Sequence, residues 1–174
     1  MIHGATGSGK TFLACALAHQ ACRQGLSALY LRAPRLFDEL SLGHADGSFR
    51  KRLAAIAKIA VVVIDDFVAL GHPAIAPIGP RERTDLLELL DDRVGSRSTM
   101  ALALGHPVGH PVITSQLPVD HWHEYIGDPT LADAILDRLV HSAHQIHLEG
   151  KESMRKRTAS AKATTKSTDL VSTQ

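Results

Sequence analysis

Blocks of apolar residues alternate with amphipathic stretches along the chain, with lengths typical of strands and helices in turn. The strongest strand signal is the uninterrupted β-branched run 59–64, which is typical of a central parallel strand buried on both faces. Periodicity predicts further strands at 26–31, 112–114 and 145–148, and helices at 10–24, 35–42, 49–58, 81–94 and 130–143. Strands that alternate with helices predict an α/β fold in which helices sandwich a parallel sheet.

Segments rich in glycine and proline interrupt this pattern at 70–80 and 105–111. Between them lies a second apolar stretch, Thr99 to Leu104, which is also a strand candidate. Only one of this stretch and 112–114 is expected to provide the strand at this point of the fold. The choice matters, because it fixes which residues follow that strand.

The domain boundary is predicted from composition. Residues 1–150 carry the apolar pattern of one folded core. In residues 151–174 that pattern stops, and Ser, Thr, Ala and Lys dominate. Such a composition is typical of a disordered tail, here a basic one.

Composition excludes several classes of protein. The formal net charge of +1 gives no overall electrostatic attraction to nucleic acid, and no apolar run approaches the ~20 residues of a membrane span. The N-terminus lacks a secretion signal, so a cytoplasmic location is expected.

The two cysteines, Cys15 and Cys22, are seven positions apart on one predicted helix, about 10 Å along its axis. That separation is too long for a disulfide, and both are expected to be reduced and buried.

The most informative motif lies at the start of the chain. It fits the phosphate-binding pattern G-x-x-x-x-G-K-[ST] at every fixed position. The whole motif is Gly4, Ala5, Thr6, Gly7, Ser8, Gly9, Lys10 and Thr11. The glycines let successive backbone N–H groups turn toward phosphate oxygens, and the helix that follows adds its positive N-terminus. Lys10 would contact the β- and γ-phosphates, and Thr11 would offer its hydroxyl to Mg²⁺. ATP and Mg²⁺ are therefore the predicted ligands.

Two acidic residues, Asp65 and Asp66, come directly after the strongest strand. The carboxyl ends of parallel strands meet at one edge of the sheet, where the phosphate loop also lies. An acid at this place is needed to hold the hydration shell of Mg²⁺, and Asp65 is predicted to do so. Asp66 is placed to polarise the attacking water. Alone, the pair would equally suit a solvated turn.

At this point the sequence resembles the IstB-like ATPases, the helper proteins of a bacterial insertion-sequence transposase, which are related to the DnaC helicase loader within the AAA+ class. The resemblance runs from about Ile2 to Arg155. Besides the phosphate loop and the acidic pair, it is carried by the blocks Asp85–Arg93, Ile113–Pro118, Trp122–Tyr125 and Gly127–Leu139. It implies a P-loop AAA+ fold, ATP-dependent assembly into a homo-oligomer on DNA, and delivery of a transposase.

The resemblance also implies roles for single residues. Gln116, after the predicted strand 112–114, best fits the sensor position that holds the attacking water or the γ-phosphate, with Thr114 and Ser115 as neighbours. Arg138 is similar to the arginine finger that completes the site of the next subunit. The alternative for Arg138 is a surface salt bridge with Asp133 or Asp137.

Basic residues on one predicted helix are candidate DNA contacts if the family role holds. They are Arg50, Lys51, Arg52 and Lys58. Four such cations would add a salt-sensitive, sequence-independent affinity for duplex DNA. The alternative, a solvated helix face, suits them equally.

The sequence departs from the family pattern at its start. Family members have a helical region and a full apolar strand before the phosphate loop, whereas only Ile2 and His3 precede Gly4 here. The first strand is thus expected to be largely missing, as in an N-terminally truncated protein, and its neighbours to lose pairing partners. Two alternatives to a transposition ATPase therefore remain open: a DnaC-like helicase loader, and a non-catalytic remnant of such an ATPase.

Overall fold

A computed structural model describes residues 1–68, 78–104, 111–140 and 143–149, with only the backbone course described for 94–104. The elements in chain order are β1 (Ile2–Gly4), α1 (Lys10–Arg23), β2 (Ala28–Arg32), α2 (Ala33–Asp46), α3 (Phe49–Ala57), β3 (Val61–Val68), α4 (Pro80–Leu104), β4 (Val112–Ser115), α5 (Trp122–Ile126), α6 (Pro129–Val140) and β5 (Ile146–Leu148). A short 3₁₀ turn, Val119–His121, precedes α5.

The five strands form one parallel sheet in the order β2-β3-β4-β1-β5. The α/β fold predicted from the pattern is therefore confirmed. β1 is only three residues long, yet it pairs on both sides: Ile2 lies opposite Thr114 of β4 and opposite Ile146 of β5. The expected loss of pairing beside this short strand does not occur.

Strand order explains how the helices are distributed. The connection from β1 to β2 crosses the sheet in one direction, whereas the later connections all run in the other direction. Because crossovers between parallel strands are right-handed, opposite directions place helices on opposite faces. Among the described residues, α1 alone covers one face, here called the α1 face, and α2 to α6 cover the other, the helix-rich face.

The hydrophobic core is divided unequally between the two faces. On the helix-rich face, Val62, Ile64 and Ile113 of the sheet pack against fully buried side chains of the helices. These include Leu36, Leu40, Leu53, Leu86, Leu89, Trp122, Ile126 and Ile135. On the α1 face the fully buried cluster consists of Ile2, Ala14 and Val63, with partly buried neighbours such as Leu13.

A buried arginine ties α4 to the turn before β3. Arg93 is only 2% exposed and donates hydrogen bonds to the carbonyl oxygens of Ile56 and Ile59 at 3.1 and 2.9 Å. Buried guanidinium groups are tolerated only when their N–H groups are paired in this way. The contact holds the end of α3 in position so that β3 enters the sheet at Val61.

The structure decides between the two strand candidates: Thr99–Leu104 is the end of α4, and the strand is β4. Two other predictions of local structure were wrong. α2 begins before the predicted 35–42, because Pro34 lies in the first turn of the helix, where proline needs no N–H partner, and it continues to Asp46. Cys15 and Cys22 are exposed on α1 rather than buried.

The predicted tail at 151–174, most of the 70–80 segment and nearly all of 105–111 lie outside the described residues. Within the described part of the chain, none of the helices has both the length and the apolar character that a membrane span requires.

Candidate nucleotide-binding site

The phosphate loop joins β1 to α1 at the carboxyl edge of the sheet. Gly9 precedes the first helical residue with φ of 100°, and Gly4 has φ of 150°, so both adopt backbone conformations that residues with a Cβ rarely take. A Cβ on Gly4 would also lie 2.4 Å from the carbonyl oxygen of Leu148. The first glycine of the motif is therefore required by the close approach of β5.

Lys10 is folded back onto this loop. Its Nζ donates hydrogen bonds to the carbonyl oxygens of Gly4 at 2.7 Å and Ala5 at 2.9 Å, and the residue is 7% exposed. Burial lowers the pKa of Lys10, while Asp66 and Asp65 act in the opposite direction. The ammonium group thus lies among backbone acceptors that a phosphate would replace.

Asp65 is buried at the carboxyl edge, with 2% of its surface exposed. The hydroxyl of Thr11 lies 3.0 Å from both carboxylate oxygens. The phenol of Tyr30 donates to Oδ2 at 2.6 Å, and Thr114 donates to Oδ1 at 2.5 Å. Asp65 and Thr11, which the motif assigns to Mg²⁺, are therefore in direct contact.

Asp66 does not follow the alternation of its strand. It lies inside β3 rather than after it, and its φ of 55° is the one positive φ of a non-glycine residue in the described chain. The pairing of β3 with β4 shifts register between Ile64 and Val68, as in a bulge. The N–H of Asp66 donates to Thr114 Oγ1 at 3.0 Å, and its carboxylate accepts from Arg32 at 2.8 Å. The bulge brings a second carboxylate to the edge where Asp65 lies.

Gln116 follows β4 and reaches the phosphate loop. Its backbone N–H donates to the carbonyl oxygen of Val68 at 2.8 Å, which fixes the chain after β4 against the end of β3. Its side-chain Oε1 accepts from the hydroxyl of Thr6 at 2.9 Å. Ser115, in contrast, bonds to the backbone of Leu117, and so has a local structural role.

These groups surround a cavity of about 190 Å³. It is lined by Thr6, Gly7, Gly9, Lys10, Thr11, Phe12, Asp66 and Gln116. An ammonium group, loop glycines, a carboxylate and an amide thus converge on one space, and the carboxylate–hydroxyl pair beneath it consists of the oxygen ligands that Mg²⁺ prefers. The donor set present fits a magnesium–nucleotide complex.

Arg138 lies outside this cavity. Its Nε donates to Asp91 of α4, and its Nη1 donates to the carbonyl oxygen of Ala134 at 2.8 Å. The salt bridge that the sequence suggested as its alternative role exists, but with Asp91 in place of Asp133 or Asp137.

The four basic candidates for DNA contact differ in their surroundings. Arg50 lies 3.5 Å from Glu88, and Arg52 contacts Asp46 at 3.2 Å. Lys51 and Lys58 are exposed. Lys58 comes just before β3. It therefore lies near the amino edge of the sheet, at the opposite end from the phosphate loop.

Three residues of the site carried no motif. Tyr30 and Arg32, at the end of β2, reach the two aspartates from a neighbouring strand, and Phe12 is 76% exposed beside the cavity. For Tyr30 and Arg32 the sequence gave one signal: residues at the carboxyl end of a parallel strand lie near the ligand edge.

Comparison with known proteins agrees with this geometry. The family model described as IstB-like ATP binding protein matches residues 1–162. A putative insertion sequence ATP-binding protein of Sinorhizobium fredii is 47% identical over 155 residues, covering 89% of this chain and 56% of that protein. A putative ATP-binding protein in an insertion sequence of Mycobacterium tuberculosis is 32% identical over 150 residues, covering 86% and 53%. The chain spans about half the length of these curated relatives.

Solved structures define the fold class. The chain superposes on DnaI with a TM-score of 0.63 at 22% identity, covering 86% of this chain and 69% of DnaI. The DnaC helicase loader gives a TM-score of 0.63 at 15% identity, with 85% and 76% covered. DnaA bound to AMPPCP and single-stranded DNA gives 0.61 at 13% identity, with 92% and 43% covered. The fold is that of the AAA+ P-loop ATPases, and the chain belongs to the IstB-like ATP binding protein family.

Proposed function

We propose that this chain is the ATP-binding and ATP-hydrolysing core of a transposition helper that assembles on DNA and directs a transposase to its target. The observation that carries the proposal is the convergence of Lys10, the Thr11–Asp65 pair and Gln116 around one cavity. The names of the insertion-sequence relatives support the transposition context.

The chemistry assigned to each residue follows from its contacts. Loop amides and Lys10 would hold the phosphates, and Thr11 with Asp65 would hold Mg²⁺, which neutralises the charge of the β- and γ-phosphates when bound. Asp66 and Gln116 would orient the attacking water, since both line the cavity. Electrostatic stabilisation of this kind is the main contribution of a protein to phosphoryl transfer.

The partner roles are further parts of the proposal. Arg138 would complete the site of a neighbouring copy, after exchanging Asp91 for a phosphate. Arg50, Lys51, Arg52 and Lys58 would contact duplex DNA without sequence preference, and Arg50, Lys51 and Lys58 are exposed. A protein that acts on DNA in this way would work in the cytoplasm, and that location is part of the proposal.

An ATPase assay on the full chain tests the catalytic proposal, with Lys10→Ala as the main variant. Loss of the ammonium group is expected to lower the hydrolysis rate by at least about 100-fold. Arg23→Ala is the matched control, because it removes an exposed cation from the far end of the same helix, α1. Equal, slow hydrolysis by the wild type and Lys10→Ala would instead indicate a non-catalytic remnant.

The transposition role is tested by co-purification with the transposase and with the replicative helicase, each in the presence of ATP. Retention of the transposase alone is the expected result. Retention of the helicase alone would support a loader of the DnaC type.

A further inference from the structure

The carboxylate of Asp65 is surrounded by hydroxyl groups from three different elements. Thr11 belongs to α1, Tyr30 to β2 and Thr114 to β4, and each hydroxyl lies within 3.0 Å of a carboxylate oxygen. Of these, Tyr30 has no place in the phosphate-loop motif or in the sensor segment. The sheet brings it there, because β2 and β3 are adjacent.

Counting acceptor positions shows what this arrangement does. A carboxylate offers about four lone-pair positions. Tyr30 occupies one on Oδ2, and Thr114 occupies one on Oδ1. Thr11 has a single proton and lies at equal distance from both oxygens, so its contact is shared. When Thr11 turns its oxygen toward a metal ion, each carboxylate oxygen still has one fixed donor.

The two fixed donors prevent rotation of the carboxylate. Thr114 is fully buried, and its oxygen also accepts the N–H of Asp66, so its position is set by two contacts. Tyr30 is held by its place in β2, where it pairs with Val63 of β3. The remaining acceptor positions of Asp65 are therefore left for Thr11, which contacts both carboxylate oxygens and lines the phosphate cavity.

We propose that Tyr30 is a positioning residue for Mg²⁺: its hydroxyl, together with Thr114, fixes the orientation of Asp65 and makes the site selective for Mg²⁺ over Ca²⁺. This inference rests on the proposed nucleotide-binding function. Mg²⁺ requires a near-ideal octahedron, whereas Ca²⁺ accepts irregular geometry and more ligands. A carboxylate that cannot rotate suits the fixed geometry of Mg²⁺, whereas a carboxylate that rotates can also adapt to Ca²⁺.

One property of Tyr30 makes this testable by a single substitution. The residue is 41% exposed and belongs to neither hydrophobic cluster, so removal of its hydroxyl leaves the core unchanged. Tyr30→Phe keeps the ring and removes the hydrogen bond to Asp65.

The experiment titrates metal against a fluorescent ATP analogue bound to the full chain, for the wild type, Tyr30→Phe and Tyr125→Phe. Tyr125 is the matched control, because it is the only other tyrosine of the chain and packs against Phe67 on the helix-rich face. Tyr30→Phe is expected to need about 10-fold more Mg²⁺ for half-maximal binding, the lower end of effects seen for residues that orient metal ligands. The preference for Mg²⁺ over Ca²⁺ should fall, and binding in EDTA should stay within about twofold.

The outcomes separate this inference from the proposed function. If Tyr30→Phe has the Mg²⁺ midpoint and ion preference of Tyr125→Phe, or if its binding in EDTA falls as much as its binding in Mg²⁺, the positioning role is overturned. If Lys10→Ala binds the analogue as well as the wild type does, the proposed nucleotide site itself fails, whatever Tyr30→Phe shows.

Discussion

The two faces of the sheet differ in what they contribute. The helix-rich face buries large side chains from α2 to α6, whereas the buried apolar cluster on the α1 face consists of Ile2, Ala14 and Val63 among the described residues. Asp65, which would hold Mg²⁺, lies on the α1 face together with Tyr30, Arg32 and Val63, because alternate strand residues point the same way. Lys10 and Thr11, at the start of α1, lie on the same face.

This difference indicates a division of tasks. Burial of apolar surface is the main stabilising contribution in folding, and most of it is on the helix-rich face. Helix α1 is held to the sheet by fewer apolar contacts and by polar ones, such as those of Thr11 and Lys10. Substitutions on the two faces should therefore separate stability from ligand binding.

The largest effect is expected on the helix-rich face. Leu86→Ala should lower the free energy of unfolding by about 3 kcal/mol, because the side chain is completely buried and its loss leaves a cavity. Nucleotide affinity of the folded protein should not change. Chemical denaturation followed by binding at low denaturant checks both, and a large loss of affinity would contradict the division between faces.

An intermediate effect is expected on the α1 face. Leu13 of α1 is partly buried against the apolar cluster on this face, so Leu13→Ala should lower the free energy of unfolding by only about 1 kcal/mol. The same helix carries Lys10 and Thr11, and weaker anchoring should raise the Kd for nucleotide by about threefold, or roughly 0.7 kcal/mol. Denaturation and equilibrium binding measure the two changes. If stability falls more than in Leu86→Ala, the α1 face contributes more to folding than its burial indicates.

The smallest effect concerns pH, at the edge where β1 meets β5. The ring of His3 stacks on that of His147 at 4.7 Å, and its Nδ1 is buried without a hydrogen-bond partner among the described residues. Burial, followed by His147, lowers the pKa of His3 from 6.5, so the unfolded chain binds the proton more tightly. Neutral His3 therefore contributes to the free energy of unfolding. That contribution is complete above about pH 6.5 and is lost as the pH falls through the lower pKa that His3 has in the folded protein.

Denaturation at about pH 7.5 and about pH 5.5 measures this loss. The wild type should lose more stability across this range than His3→Gln, which cannot take up the proton. His19→Gln, an exposed histidine of α1, is the control and should behave as the wild type does. Equal losses in all three proteins would show that His3 does not contribute.

Local sequence patterns predicted the phosphate loop, the acidic pair and the alternation of strands and helices, since each depends on residues close together in the chain. They did not decide between Thr99–Leu104 and 112–114 as a strand. An apolar run suits either element, and the stretch rich in Ala and Leu, which are good helix formers, is the end of α4.

Sequence by itself thus determined which chemistry the chain carries, because a phosphate loop needs glycines and a lysine at fixed spacing. Tertiary structure decided how that chemistry is completed. Strand order placed β2 beside β3 and so brought Tyr30 and Arg32 to the aspartates, the bulge in β3 turned Asp66 to the edge, and β4 brought Thr114 and Gln116 to the loop. These contacts join residues that are distant in sequence, and no local pattern encodes their pairing.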